Sequence, residues 1–390
     1  MPQNKQPKLV RISEKLQQNM QYVDELMGLE TNFDIIHRVI RLGDTDACMY
    51  LIDGFCKDEL MQKILQYLMD LKAEDFPKDA HEMSKIAIPY VEVDLDDTWE
   101  KILGALLSGV FVLLLDGYEK AVLIDARTYP TRGVEEPDKD KVLRGSKDGF
   151  VETVVFNTAL IRRRIRSTDL HMEMLNAGEN SRTDIVLCYM ESRVDPKLLT
   201  QIRERIRSIQ VDALAMNQES LAECLYQRKW YNPFPKFKYT ERPDTAAAQV
   251  LEGNLVILVD NSPSAMILPT TIFDVVEEAD DYYFPPVTGT YLRLTRFLIA
   301  LLTYFVTPTY LLLMNHRMWI PENLEFIILK EDPNVPLILQ FLLLELAIDG
   351  LRLAAVNTPN MLSTPLSVMA ALVLGEFSVE SGWFSSEVML

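Results

Sequence analysis

The sequence predicts an α/β protein built from one module used twice and followed by an all-α membrane domain. Three observations lead there. The hairpin-like stretch "SGVFVLLLDGYEKAVLID" at 108–125 recurs as "EGNLVILVDNSPSAMILP" at 252–269, with Gly109/Gly253, Val112/Val256, Leu114/Leu258, Asp116/Asp260 and Ala121/Ala265 at one offset (253 − 109 = 144). A second echo opens on Thr-Asp at Thr45 and again at Thr183 (183 − 45 = 138). Third, the apolar run at 291–314 reaches the roughly 20 residues that a bilayer span needs. At 390 residues the chain also exceeds what one core usually serves. The expected division is a first cytosolic lobe over 1–127, a connecting helical and turn segment over 128–180, a second lobe over 181–286 and a membrane domain over 287–390.

Each half is read in the same order. After Thr45 and Thr183 comes a short apolar strand, a polar turn and an amphipathic helix, whose faces run Leu60, Ile64, Leu68, Leu71 and Leu198, Ile202, Ile206, Ile209. Asp195-Pro196 marks a helix start, since Asp caps and Pro suits the first helical position. "YVEVDL" (90–95) and "IQVDAL" (209–214) alternate as strands, and each precedes a helix and then the hairpin. Each lobe is therefore expected to be β-α-β-α-β-β, an open α/β sandwich with a mixed sheet and right-handed crossovers. The unequal offsets place extra residues before the second hairpin, in "KWYNPFPKFKYTERPDT".

Composition narrows the function classes. A formal net charge of −18 argues against nucleic acid as the main partner and against a cationic peripheral membrane binder. Cys48, Cys56, Cys188 and Cys224 are scattered, with no CxxC, which reads as reduced thiols. The first twenty residues have no apolar core of a signal peptide, so the part before 287 is expected in the cytosol. His37, His81, His171 and His316 are far apart, and GxSxG, GxGxxG and HExxH are absent. "RGSKDGF" (144–150) lacks the spacing of a phosphate loop. The expectation is a protein that is not an enzyme and holds no cofactor or metal.

Arg162, Arg163, Arg164 and Arg166 form a basic cluster. It reads as a solvated helix face, or as a contact with anionic headgroups or a neighbouring subunit. In the apolar part, Arg293 and Arg296 stand at the first turns of the run and can snorkel to the cytosolic surface. Pro308 would kink that helix, and Trp319 suits the interface. A second segment, 335–356, carries Glu345, Asp349 and Arg352 at i, i+4 and i+7, on one helical face. A third, 362–384, carries Glu376 and Glu380. Ionisable groups at membrane depth are costly and seldom face lipid, so these five residues are candidates for a polar bundle interior or pore. The alternative is short interfacial helices with their charges among headgroups. The last residues read as the start of another apolar segment, so a truncated membrane domain is expected.

The stretches "RGVEEPDKDKVLRGSKDGFVE", "NTALIRRRIRS", "NPFPKFKYTERPDTAAAQVLEGNLVILVDNSPSAMILPTTIFD" and "LRLTRF" resemble the A subunits of the GerA-type spore germinant receptors, over essentially the whole chain. "TERPDTAAAQVLEG" and "LGEFSVESGWFSSEVML" resemble the stage V sporulation branch of that family. The resemblance implies a two-lobed cytosolic domain facing the spore core and a multi-pass helical domain in the spore inner membrane. It implies a homo-oligomer working with transporter-like and lipoprotein subunits, or with an accessory membrane partner, in germination ion release. The competing expectation is a non-conducting assembly or scaffolding protein.

Overall fold

The computed structural model describes residues 11–56, 58–128, 146–226, 232, 234–278, 281, 283–329, 333–357, 368, 372, 375 and 378–389. The chain divides into two compact units, 1–290 and 291–390.

The first unit holds two lobes of one design. The first lobe runs α1 (Leu16–Met27), β1 (Ile35–Leu42), β2 (Thr45–Ile52), α2 (Asp58–Met69), a short α3 (Ala80–Glu82), β3 (Val93–Asp96), α4 (Trp99–Leu107), β4 (Phe111–Leu115) and β5 (Ala121–Ile124). The second runs α5 (Val154–Arg164), β6 (Leu170–Ala177), β7 (Thr183–Met190), α6 (Pro196–Arg207), α7 (Gln218–Leu225), β8 (Lys238–Thr240), α8 (Pro243–Glu252), β9 (Leu255–Val259) and β10 (Ala265–Leu268). The strand orders are β1-β2-β4-β5-β3 and β6-β7-β9-β10-β8.

Three expectations are corrected here. Among the described residues every strand pair is antiparallel, so the expected mixed sheet and parallel crossovers are not formed there. Each lobe has an additional leading strand, β1 or β6, which folds back on the Thr-Asp strand as a hairpin. That makes the order β-β-α-β-α-β-β, and it puts β6, placed by the sequence in a connecting segment, inside the second sheet. The third strand of the second lobe is Lys238–Thr240, not 209–214. Its pairing with β10 decides this, because Thr240 faces Ala265 as Asp96 faces Ala121, at the hairpin's own offset (240 − 96 = 144). The length difference between the lobes therefore falls between the second helix and this strand, and the "TERPDT" part belongs to β8 and α8.

Both faces of each sheet are covered, which explains why β4, β5, β9 and β10 are apolar throughout rather than alternating. In the first lobe Met49, Leu51, Leu113 and Val122 pack with Ile64 and Leu68 of α2. Tyr50, Val112 and Leu114 on the other face pack with Val23 and Met27 of α1 and Trp99 and Ile102 of α4. The second lobe repeats this with Leu187, Ile257 and Met266 under α6 and α7, and with Val186, Val256 and Ile267 under α5 and α8. Each fully buried aliphatic or aromatic side chain contributes about 1.5–3 kcal/mol of transfer free energy.

The repeated hairpin turn anchors the first helix of its lobe. Leu16 N donates to Asp116 Oδ1 at 2.9 Å, and Val154 N donates to Asp260 Oδ1 at 3.1 Å. Gly117 N donates to Glu14 O and Asn261 N to Glu152 O, both at 2.7 Å. Gly117 at φ 81° and Asn261 at φ 59° hold the left-handed position, which glycine and asparagine tolerate. The expected helix start at Asp195-Pro196 is present, with the Asp195 carboxylate accepting from Lys197 N at 2.9 Å.

After α9 (Ile272–Val276), α10 (Pro286–Asn315) is 30 residues long and keeps Pro308 inside it. At 1.5 Å per residue it is about 45 Å long, and among the described residues it is the one helix long and apolar enough to cross a membrane. In the second unit, α11 (Leu337–Asn357) is a 21-residue apolar helix that also carries Glu345, Asp349 and Arg352. Most of the segment expected at 362–384 lies outside the described residues.

Candidate functional site

The basic cluster is not one surface. α5 presents Asn157, Ile161 and Arg162 to the interior, and the Arg162 side chain is 0 % exposed. Its guanidinium meets Asp34, just before β1 in the other lobe, in a two-pronged pair: Nε to Oδ2 at 2.8 Å and the second nitrogen to Oδ1 at 3.0 Å. The remaining nitrogen donates to Leu170 O at 3.1 Å and Ser167 O at 3.4 Å. Arg162 is thus a tie between lobes, which corrects its expected place on a membrane-proximal or subunit-facing surface. A fully buried guanidinium is tolerable only where its donors are met this way.

The rest of the junction is polar and close-fitting. Phe33 N donates to Met172 O at 3.3 Å, and Met172 N donates to the buried Asn32 Oδ1 at 2.6 Å. His171 stacks on Tyr189 and shares a hydrogen bond of 2.9 Å with Thr31 Oγ1. Burial lowers the His171 pKa, against the opposing pull of Glu191, Asp169 and Asp34. Ile52 and Phe55 of the first lobe pack on Ala159 of the second.

Arg164 pairs with Asp148 at 2.5 Å, and Arg163 and Arg166 are exposed. Burial alone would raise the Asp148 carboxyl, but hydrogen bonds from Arg164 and Ser146 hold it below the ordinary carboxylate value.

Beside this pair lies a second buried arginine that the sequence did not single out. Arg242, at the N-cap of α8, is 0 % exposed. It pairs with Asp244 through Nε at 3.1 Å and a terminal nitrogen at 2.6 Å, and that same nitrogen donates to Ser146 O at 2.8 Å. Tyr283, from the linker before α10, donates its hydroxyl to Asp244. Burial would raise the Asp244 carboxyl, but the hydrogen bonds from Arg242 and Tyr283 keep it low. The one signal in the sequence was the R-P-D spacing, an arginine two residues before an acid at a helix start.

The remaining candidates are on apolar helices. Glu345, Asp349 and Arg352 fall on α11, where their spacing gives them one face, and all three are exposed in the single chain. Glu380 is exposed, and Glu376 lies outside the described residues. Arg293 is exposed and Arg296 half-buried near the start of α10. Gln340 on α11 is 1 % exposed and binds Ser385, accepting from its N at 2.9 Å.

Among the described residues no catalytic constellation gathers at these places. Burial pushes the Cys48 thiol up to about 12 and the Cys188 thiol higher still, which makes both inert at neutral pH. Among the described residues no three His, Cys, Asp or Glu side chains group to hold a metal. A groove of about 630 Å³ is open and sets Arg38, Gln62, Gln66 and Asp70 beside Met61, Leu65 and Met69.

Residues 21–390 match the family described as "Bacillus/Clostridium GerA spore germination protein". The chain is 38% identical to stage V sporulation protein AF of Bacillus subtilis over 392 residues, covering 100% of this chain and 79% of that protein. It is 30% identical to spore germination protein A1 of Bacillus subtilis, covering 94% of this chain and 75% of that one. The crystal structure of the N-terminal domain of the A subunit of the Bacillus megaterium spore germinant receptor GerK3 superimposes with a TM-score of 0.53 at 27% identity, over 68% of this chain and 98% of that one.

Proposed function

We propose, because the chain belongs to the Bacillus/Clostridium GerA spore germination protein family, that it is an integral membrane subunit of a spore germination complex and contributes to ion release across the spore inner membrane. The observation that carries the reading furthest is the charged face of α11. A 21-residue apolar helix with Glu345, Asp349 and Arg352 on one side is poorly suited to lipid and well suited to a polar interior shared with other helices. Acidic groups on that interior favour cations, as carboxylate rings do in other channels. The long, mostly apolar α10 supports membrane insertion, with Arg293 and Arg296 toward the cytosolic side and both lobes facing the spore core. In this reading the chain forms a homo-oligomer. It works with transporter-like and lipoprotein subunits, or with an accessory membrane partner.

A second reading, the non-conducting scaffold, draws on the same structure. A single helix among the described residues passes as a span on length and composition, and an anchor needs no more. Reconstitution separates the two. Purified chain in lipid vesicles, with its membrane partners co-purified, is expected to release entrapped potassium faster than protein-free vesicles. A scaffold would insert without raising the leak.

A further inference from the structure

We propose that the acidic linker ahead of α10 is clamped to the second lobe by Lys238, Arg242 and Asp244, and that through this clamp the second lobe, and not the first, acts on the apolar helix. The coupling rests on the membrane reading above; the clamp itself rests on geometry.

Two points hold the linker to the second lobe, Glu277 on Lys238 and Tyr283 on Asp244, and Asp281 braces the linker on itself between them. Lys238 of β8 pairs with Glu277 at 2.7 Å, and each side chain is 12 % exposed. Asp281 is buried; its carboxylate accepts from Glu278 N at 3.3 Å, and its carbonyl stands 3.2 Å from the place a Cβ would take on Gly289, in the early part of α10. The Tyr283 hydroxyl donates to Asp244, with the Arg242 guanidinium 5.7 Å from the centre of the Tyr283 ring. Arg242 and Asp244 could satisfy each other within the start of α8. Glu277 and Tyr283 are additional, and both come from the segment that leads into α10.

The duplication supplies an internal comparison. At the offset of 144, Lys238, Arg242 and Asp244 correspond to Asp94, Thr98 and Glu100. The apolar strand positions around them are matched in kind, from Phe111/Leu255 to Ile124/Leu268. The two positions that contribute positive charge to the clamp are instead an acid and a neutral hydroxyl in the first copy. A carboxylate at 94 would repel an acidic linker where Lys238 attracts one. Packing does not require this difference, since the same fold is built without it; a tether specific to the second copy does.

Swapping charges tests this in the full chain. Glu277→Lys and Lys238→Glu alone are each expected to raise amide hydrogen exchange over residues 277–290 roughly tenfold and to slow ion release from germinating spores. The double swap is expected to restore both, because the pair is rebuilt with its ends exchanged. Tyr283→Phe, a smaller change that keeps the ring, is expected to act in the same direction. Asp94→Lys in the first lobe is expected to change neither reading. Wild-type exchange in both single variants would overturn the clamp. Raised exchange with wild-type ion release in intact spores would overturn the coupling and leave only a structural tie. Failure of the membrane reading would show differently, as wild-type ion release when the whole chain is deleted.

Discussion

Arg162→Ala is expected to cost about 3–5 kcal/mol and to open the junction between the lobes, because it strands a buried carboxylate. Asp34 is 2 % exposed, so water cannot replace the lost guanidinium without the junction parting. The carbonyls of Ser167 and Leu170 lose donors in the same step. Urea denaturation of the full chain measures the loss. Hydrogen exchange at 32–34 and 170–172 locates it, since those residues carry the bonds between Asn32, Phe33 and Met172. Removing both charges, as in Arg162→Met with Asp34→Leu, is expected to recover much of the stability, since a buried ion pair replaced by apolar groups is often neutral. A single variant as stable as the parent would show that the junction does not depend on this pair.

Glu345→Gln combined with Asp349→Asn is expected to slow ion release on the order of tenfold, the low end of what focusing by one sign of charge supplies. The two residues are four apart on α11 and share a face with Arg352, so both acidic groups are removed from one side of the helix. The substitutions are nearly isosteric and lie on an exposed face of the single chain, so protein levels are expected to hold. Time courses of potassium release from spores carrying the variant measure the effect. Parental kinetics at parental protein levels would remove these residues from the ion path.

Much of the fold was legible because apolar pattern and turn chemistry act locally. The repeated hairpin kept one offset in sequence and one register in space, with Leu113 facing Val122 and Ile257 facing Met266. β1 and β6 do not stand out because they mix buried and exposed positions without clean alternation, as in β1, where Ile35, Ile40 and Leu42 are buried and the four residues 36–39 are exposed. The third strand of the second lobe was misplaced because 209–214 alternates as well as a strand does, while Lys238–Thr240 has only three residues. Pairing with β10, a tertiary constraint, selected the shorter one.

The site followed the same division. The α11 spacing could be read from helical geometry alone. Arg162 could not, because its partner is 128 residues away and a run of arginines ordinarily marks a solvated surface. The Arg242 junction was hidden for the same reason: its members come from 146, 242–244 and 283, brought together only by the folded lobe.

The most direct measurement is core potassium and proton release from germinating spores that lack this chain, compared with the parent and with a complemented strain. Slower or smaller release, restored by complementation, is the predicted result. Release that matches the parent in rate and extent would contradict a role for the chain in ion release.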